Sequence, residues 1–230
     1  MSRKKKFILF AIFLVISLFV LLYSSTVGEF IGIFLGYFSY NTLLLKAMFI
    51  ILFIALTTFA FSVSIMTGFG ALFFPANESI FYSIIGILGS SIIIFFVARR
   101  LGRDYVRNYV EKKGGKLEKF DKIIEHNTFK TILILSAIFF VNPMIPNLLG
   151  GIIKINFRNY IIATFIGNLP NTIFTVLLVK GVVYSNIVYV YISSIGLISV
   201  TLIALYFYKG ELIDIIELSL PRRYHKYFYV

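Results

Sequence analysis

Asparagines that stand near prolines interrupt two of the long apolar stretches of this chain. Asn142-Pro143 and Pro146-Asn147 interrupt one apolar stretch, and Gly167-Asn168-Leu169-Pro170-Asn171 lies inside the next. An amide side chain donates and accepts hydrogen bonds without carrying charge, so it can contact a polar group and release it again. An alternative role is structural, because an asparagine beside a proline can simply cap a helix break. The predicted substrate pathway consists of Asn142, Pro143, Pro146, Asn147, Gly167, Asn168, Pro170 and Asn171.

Groups that perform catalysis or bind metals are scarce in the sequence. The chain contains no cysteine, which excludes disulfides, thiolate metal sites and cysteine nucleophiles. Its two histidines, His126 and His225, are far apart, and both lie in charged stretches. No Walker A, G-x-S-x-G or H-E-x-x-H motif occurs. We expect a protein that is not an enzyme and that uses neither a cofactor nor a metal.

The composition indicates a membrane protein. Hydrophobic residues make up 59% of the 230 residues and charged residues 14%, and the mean hydropathy is +0.93. A soluble domain has about 45–50% apolar and about 25% charged residues. Several stretches without ionisable side chains exceed the ~20 apolar residues that cross a bilayer. A water-soluble monomer and a disordered chain are therefore both excluded.

The distribution of positive charge predicts the orientation of the spans. Segment 99–130 holds ten Lys and Arg residues against five acidic ones, so the positive-inside rule places it in the cytoplasm. If 43–66 and 79–98 both crossed the membrane completely, this segment would lie outside. The conflict disappears if 43–70 enters the membrane from outside and returns to the same side.

The charges around the stretch 129–155 also indicate that it enters and leaves the membrane on one side. Basic residues stand at both of its ends, and Pro143 and Pro146 break the helix in its middle. We predict a second hairpin here, with a turn made by the two prolines and the asparagines beside them. Hairpin-plus-span units at 43–98 and 129–180 would then form an inverted repeat.

The predicted fold is an all-α polytopic integral membrane protein with four full spans and two oppositely oriented re-entrant helical hairpins. Both termini are expected in the cytoplasm. The spans are Phe7–Tyr23, which we expect to remain uncleaved, 79–98, 159–180 and 182–208. We divide the chain into an N-terminal membrane anchor with an external segment (1–42), a core (43–181) with a cytoplasmic amphipathic linker (99–130), and a last span with an amphipathic cytoplasmic tail (182–230).

Glycine and arginine motifs occur in the first hairpin-plus-span unit. The first hairpin contains Gly68-Phe69-Gly70, and the span after it ends in Phe96-Val97-Ala98-Arg99-Arg100-Leu101-Gly102-Arg103. Together with the proline pair and the Gly167-x-x-Pro170 motif, their order resembles the DedA/VTT-domain family, also called SNARE-associated Golgi proteins. Within that family the chain is most similar to the VTT-type branch. The resemblance covers about residues 43–181.

The resemblance implies a protein that moves phospholipids, or lipids of the polyprenyl-phosphate type, between leaflets. DedA-type members carry an acidic residue in the first hairpin and an arginine in the second, both linked to proton-coupled transport. Here residues 47–77 contain no acid and 131–153 no arginine, so the resemblance does not extend to proton coupling. The nearest acid, Glu78, is predicted in the loop after the first hairpin, either as a solvated charge or as a group that steers or protonates.

Basic residues at the predicted cytoplasmic ends of the units are Arg99, Arg100, Arg103, Lys154 and Arg158. We expect them to ring the cytoplasmic mouth of the pathway and attract anionic lipid head groups, or else only to fix the topology. The linker at 104–126 has an apolar stripe at helical spacing, which favours a lipid surface over nucleic acid as its partner. The expected partners are membrane lipids, with self-association left open.

Two other functions stay open. One is an ion- or proton-linked small-solute transporter of the osmotic or pH-stress kind, which would need an ionisable pair inside the membrane. The other is a scaffold that assists envelope assembly and transports nothing. The absence of cysteine fits a bacterial cell membrane, where we place the protein.

Overall fold

The computed structural model describes residues 3–39, 41–102, 128–139, 141–152 and 155–219. Within these ranges the regular secondary structure is helical, without strands. The helices are α1 (Arg3–Leu22), α2 (Ser24–Tyr37), α3 (Thr42–Thr58), α4 (Val63–Phe73), α5 (Ala76–Val97), α6 (Thr128–Ala137), α7 (Met144–Ile152), α8 (Phe157–Val183) and α9 (Ile187–Ser219). A π-helical turn, Ala98–Gly102, continues α5.

Three of these helices are long and apolar enough to cross a membrane: Ala76–Gly102, Phe157–Val183 and Ile187–Phe207. They correspond to the predicted spans 79–98, 159–180 and 182–208. The predicted first span corresponds to α1, and α1 and α2 together would form a fourth span that is bent by 78°. The prediction of an all-helical, multi-pass membrane protein is confirmed.

Asparagine and serine side chains begin several of the helices. Asn41 Oδ1 accepts a hydrogen bond from the backbone N–H of Leu44 at the start of α3, and Asn156 does the same for Arg158 at the start of α8. Ser62 caps α4 in the same way. These oxygens satisfy N–H groups that have no carbonyl partner in the first helical turn, which matters most where water is scarce.

The first predicted hairpin contains a break between α3 and α4, which we call the first break (residues 59–62). Ala60 there has a φ of 65°, in the left-handed region that a residue with a side chain seldom adopts. The backbone N–H of Phe61 donates back to the carbonyl of Leu56. The chain therefore turns sharply inside an apolar stretch that no proline interrupts.

The second break separates α6 from α7 and corrects the predicted turn. Pro143 directly precedes α7, but Pro146 and Asn147 lie inside that helix, at its third and fourth residues. Proline is tolerated in a first helical turn because its missing N–H would have no partner there. Asn142 Oδ1 caps α7 by accepting from the N–H of Met144 at 2.9 Å. The turn therefore ends three residues earlier than the proline pair suggested.

Two aromatic clusters hold the bundle together. In the first, Phe49 and Phe53 of α3 are fully buried against α4 and α5, and Ile31 and Leu35 of α2 join them. In the second, the rings of Phe95 on α5 and Tyr160 on α8 stack at 4.5 Å between centroids. The segment predicted as external thus contains a helix, α2, whose apolar face packs on the core.

Some of the predicted features lie outside the described residues. These are the amphipathic helices of the linker at 104–126, the side chains of Arg103 and Lys154, and the end of the tail after Ser219. The backbone of the tail up to Ser219 continues α9 as one helix.

Candidate functional site

A cavity of about 310 Å³, which we call the central cavity, lies between the start of α4, the second break and the middle of α8. Nine of its lining residues are polar, and none of the described lining residues is charged. The polar ones are Ser62, Ser64, Thr67, Ser136, Asn142, Asn168, Asn171, Thr172 and Thr175. The cavity can therefore contact a polar group through hydroxyls and amides without forming an ion pair.

One face of α8 supplies the floor of the central cavity. Asn168, Asn171, Thr172 and Thr175 follow the spacing i, i+3, i+4, i+7, which places them on one side of a helix. They lie from ~16 to ~27 Å along a helix that is ~40 Å long. If α8 crosses the membrane, these polar groups lie near the bilayer midplane.

The asparagines of α8 also tie the site together. Asn168 Nδ2 donates to the carbonyl of Thr164 at 2.8 Å, within its own helix. Asn171 Nδ2 donates to the carbonyl of Ala137 at 2.9 Å, at the last residue of α6. The carbonyls at the end of a helix lack helical partners, so Asn171 satisfies one of them from a neighbouring helix.

Asn142 joins the two breaks. Its Nδ2 donates to the carbonyl of Ala60 in the first break at 3.1 Å, while its Oδ1 caps α7. Both capacities of the amide are used at once, one for local structure and one for a long-range contact. The two proposed roles of this asparagine, helix cap and site residue, are therefore combined.

Three buried polar atoms of cavity-lining residues have no hydrogen-bond partner among the described residues. They are Thr67 Oγ1, Ser136 Oγ and Asn171 Oδ1. Buried polar groups in folded proteins are almost always hydrogen-bonded to protein or to ordered water. The packing around the central cavity thus contains polar atoms whose hydrogen bonds are not satisfied within the described residues.

The structure brings half of the predicted pathway residues to the cavity. Asn142, Pro143, Asn168 and Asn171 line it, but Pro146, Asn147, Gly167 and Pro170 do not. Pro146 and Asn147 are buried in α7, and Gly167 lies against α6. Pro170 lies within the continuous helix α8.

Asn147 and Gly167 illustrate these structural roles. Asn147 is buried, and its Oδ1 accepts a hydrogen bond from the hydroxyl of Tyr160 at 2.8 Å. A Cβ added to Gly167 would lie 2.5 Å from the carbonyl oxygen of Leu133. The glycine therefore permits the close contact of α8 with α6.

The predicted residues of the first hairpin also pack rather than line the cavity. A Cβ on Gly70 would lie 2.9 Å from both the ring of Phe49 and Ser79 Oγ, and one on Gly68 would only touch Val179. Gly70 thus permits the close approach of α4 to α3 and α5. Small residues at helix contacts serve this purpose inside membranes.

Glu78 lies in the first turn of α5, and its predicted place in a loop is wrong. Its carboxylate pairs with Lys46 of α3 at 2.9 Å between Nζ and Oε2, and both side chains are partly exposed. A negative charge at a helix N-terminus is favoured by the helix dipole. Hydrogen bonds to Glu78 and to Tyr82 raise the pKa of Lys46 above its ordinary value. Glu78 does not line the central cavity.

The predicted ring of cytoplasmic cations divides into different environments. Arg99 points inward: its Nη2 donates to the carbonyl of Ile155 at 2.7 Å, and its guanidinium lies 4.3 Å from the ring centroid of Phe95. Arg100, the next residue, is exposed on the outer face, and Arg158 is exposed in the first turn of α8. Arg99 therefore connects α5 to the segment before α8 and shares no surface with Arg100.

Several cavity residues were missed by sequence reasoning. Thr172 and Thr175 could have been found, because they extend the polar stripe of Asn168 and Asn171 at helical spacing. Thr67 and Ser136 carry no such signal. They come from two different helices and meet only through the packing of α4 and α6 beside α8.

Comparison with known families identifies the core. The sequence profile described as VTT domain matches residues 57–181, more than half of the chain. The chain belongs to the VTT-domain family. The matched VTT segment begins at the end of α3, ends in α8 and contains every residue that lines the central cavity. The family predicted from the motifs is thereby confirmed.

A curated protein to which the chain is similar is the uncharacterized protein YqeD of Bacillus subtilis (strain 168). It is 26% identical over 104 residues, which cover 45% of this chain and 49% of YqeD. The chain thus spans about half the length of that relative. No solved structure matches the sequence.

Proposed function

We propose that this VTT-domain protein moves phospholipids, or lipids of the polyprenyl-phosphate type, between the leaflets of the cell membrane. The observation that supports this function best is the central cavity: polar, uncharged and half-way along a helix long enough to cross the bilayer. The head group would pass through this cavity while the acyl chains stay in the surrounding lipid.

The physical problem in moving a lipid is the transfer of its head group through hydrocarbon. A polar group without hydrogen bonds costs several kcal/mol there, and a charge costs about 3 kcal/mol or more. Hydroxyls and amides near the midplane lower that barrier by replacing water. Because the described lining carries no charge, a phosphate would be stabilised without being held by an ion pair.

The arrangement that fits this function has four spans and two re-entrant hairpins that enter from opposite sides. In it the first break comes from the outside, the second from the cytoplasm, and both termini are cytoplasmic. Irregular backbone at membrane depth is tolerated where it is buried in protein or lines a polar cavity. The contact of Asn142 with Ala60 fits hairpins whose tips meet. The partners would be membrane lipids, and self-association stays open.

The ion-linked alternative is less well supported. It needs an ionisable group in the pathway, and the described lining of the central cavity contains none. The ion pair of Lys46 and Glu78 is partly exposed and lies away from the cavity. A scaffold without transport would leave the polar lining of the cavity without a role.

The test is a flux measurement on the full-length protein in liposomes. The vesicles carry a fluorescent phospholipid in both leaflets, and a membrane-impermeant reductant is added outside. Empty vesicles lose only the fluorescence of the outer leaflet. We expect vesicles with protein to lose nearly all of it, because inner-leaflet lipid keeps arriving outside. Bleaching equal to that of empty vesicles would refute lipid transport and leave the ion-linked transporter and the scaffold.

A further inference from the structure

The outer face of α5 carries a second concave surface, which we call the outer groove. It has a volume of about 460 Å³ and is lined by Ile92, Ile93, Phe96, Val97, Arg100 and Leu101. None of these residues lines the central cavity. Ile93 and Phe96 are each about two-fifths exposed, at 42% and 41%. The groove is thus an apolar surface on the lipid-facing side of a spanning helix, and among its described residues Arg100, at one end, carries the charge.

Arg100 is free to bind a ligand. Its side chain is exposed, and among the residues that the structure describes no carboxylate or carbonyl accepts a hydrogen bond from it. The neighbouring Arg99 differs from Arg100, because its guanidinium donates a hydrogen bond to the carbonyl of Ile155. A guanidinium presents five N–H donors in a plane and pairs with phosphate oxygens in a bidentate manner.

The position of the groove matches the shape of a membrane lipid. From Ile92 to Arg100 the helix rises ~12 Å, with the apolar residues toward the middle of the span and the arginine at its end. A membrane lipid has the same arrangement along the membrane normal, with its acyl chains toward the middle of the bilayer and its phosphate at the surface. Arginines near the ends of spans extend to the head-group region.

We propose that the outer groove binds one anionic phospholipid, with its acyl chain along Ile93 and Phe96 and its phosphate at Arg100. The choice of an anionic head group follows from the lining: it contains Arg100, and the described lining residues include no acid that could pair with the amine of a zwitterionic lipid. This lipid stays bound to the lipid-facing surface of the protein, outside the central cavity. The site does not depend on passage through the central cavity, so it can exist whether or not the protein transports lipid.

The absence of tryptophan allows a direct test. The substitution F96W places a single tryptophan in the outer groove of the full-length protein. Its fluorescence is measured in phosphatidylcholine vesicles that contain the same mole fraction of brominated phosphatidylglycerol or brominated phosphatidylcholine. Bromine quenches only at contact, so the ratio of the two quenching efficiencies reports the preference for the anionic lipid. We expect the association constant for phosphatidylglycerol to be about threefold to tenfold higher than that for phosphatidylcholine. A charge-assisted hydrogen bond between Arg100 and a phosphate at a membrane surface would produce a preference of this size.

Three variants locate the preference. R100Q in the F96W background should reduce the ratio to about one. K180Q, which removes the same charge at the far end of α8, should leave it unchanged. A tryptophan introduced by F81W, on the exposed face of α5 away from the groove, should show no preference. If F96W disturbs folding, I93W places the fluorophore in the same groove. Equal quenching by both lipids at the groove, or a preference that survives R100Q, would overturn the proposal.

Discussion

The side-chain amide of Asn142 donates a hydrogen bond to the carbonyl of Ala60 at 3.1 Å, across 82 positions of sequence. This contact connects the second break to the first. The first break leaves a carbonyl that its own helices do not satisfy, and Asn142 from the second break supplies the donor. The contact therefore fixes the second break, which lines the central cavity, to the first.

Replacing Asn142 should destabilise the protein more than removing an ordinary helix cap. N142A removes the cap of α7 and the bond to Ala60 together, with an expected loss of about 2–3 kcal/mol. The matched control is N156A, which removes only the exposed cap of α8 and should cost about 1 kcal/mol. Denaturant unfolding in detergent measures both. Equal losses would mean that the bond between the breaks contributes nothing.

Gly167 should not tolerate even a methyl group. G167A places a Cβ 2.5 Å from the carbonyl oxygen of Leu133 and 2.7 Å from the Cβ of Ser136, so α6 and α8 must separate at a cost of about 1–3 kcal/mol. The control is G36A in α2, where an added Cβ meets nothing within 4 Å. That change should stabilise the helix by up to about 1 kcal/mol. A shift of the same sign in both variants would contradict this packing.

The hydroxyls of the α8 stripe should matter for flux and little for stability. The double variant T172V/T175V keeps the side-chain volume and removes two hydroxyls from the central cavity. We expect lipid flux to fall about fivefold or more, since a hydrogen bond to a passing head group is worth about 1 kcal/mol. T58V is the matched control, because the hydroxyls of Thr58 and Thr172 both bond to a carbonyl in their own helix, but Thr58 lies outside the cavity. Unchanged flux in the double variant would separate transport from this cavity.

The pair of Lys46 and Glu78 should give a small, pH-dependent contribution to stability. The pairing raises the pKa of Lys46, so the stabilisation is complete below the unfolded pKa of lysine, about 10.4, and is lost as the pH rises through the folded value. E78Q should therefore lower the unfolding temperature slightly at pH 7–9, and its difference from the wild type should shrink at higher pH to the part that the helix dipole contributes. Thermal unfolding across this range measures it. A fall in lipid flux for E78Q would instead mean that Glu78 contributes to transport as well as to stability.

Two neighbouring arginines show how far local sequence reasoning reaches. The charge run predicts that Arg99 and Arg100 end a span, and both do lie in the turn that ends α5. It predicts a shared surface for them, and that is wrong. Which of the two turns inward depends on the carbonyl of Ile155, which lies 56 positions away from Arg99. No local pattern carries that information.

The sequence by itself determined the membrane class, the helical character, the approximate positions of three long helices and the family. These follow from apolar length, charge placement, prolines and motif order, which are properties of neighbouring residues. Only the tertiary structure decided the site. Asn142 and Asn147 both stand beside a proline, yet one bridges to Ala60 beside the cavity and the other is buried under Tyr160. The rotation of each helix and its contacts with distant helices choose between them, because a hydrogen-bonding partner far along the chain has no signature in the local sequence.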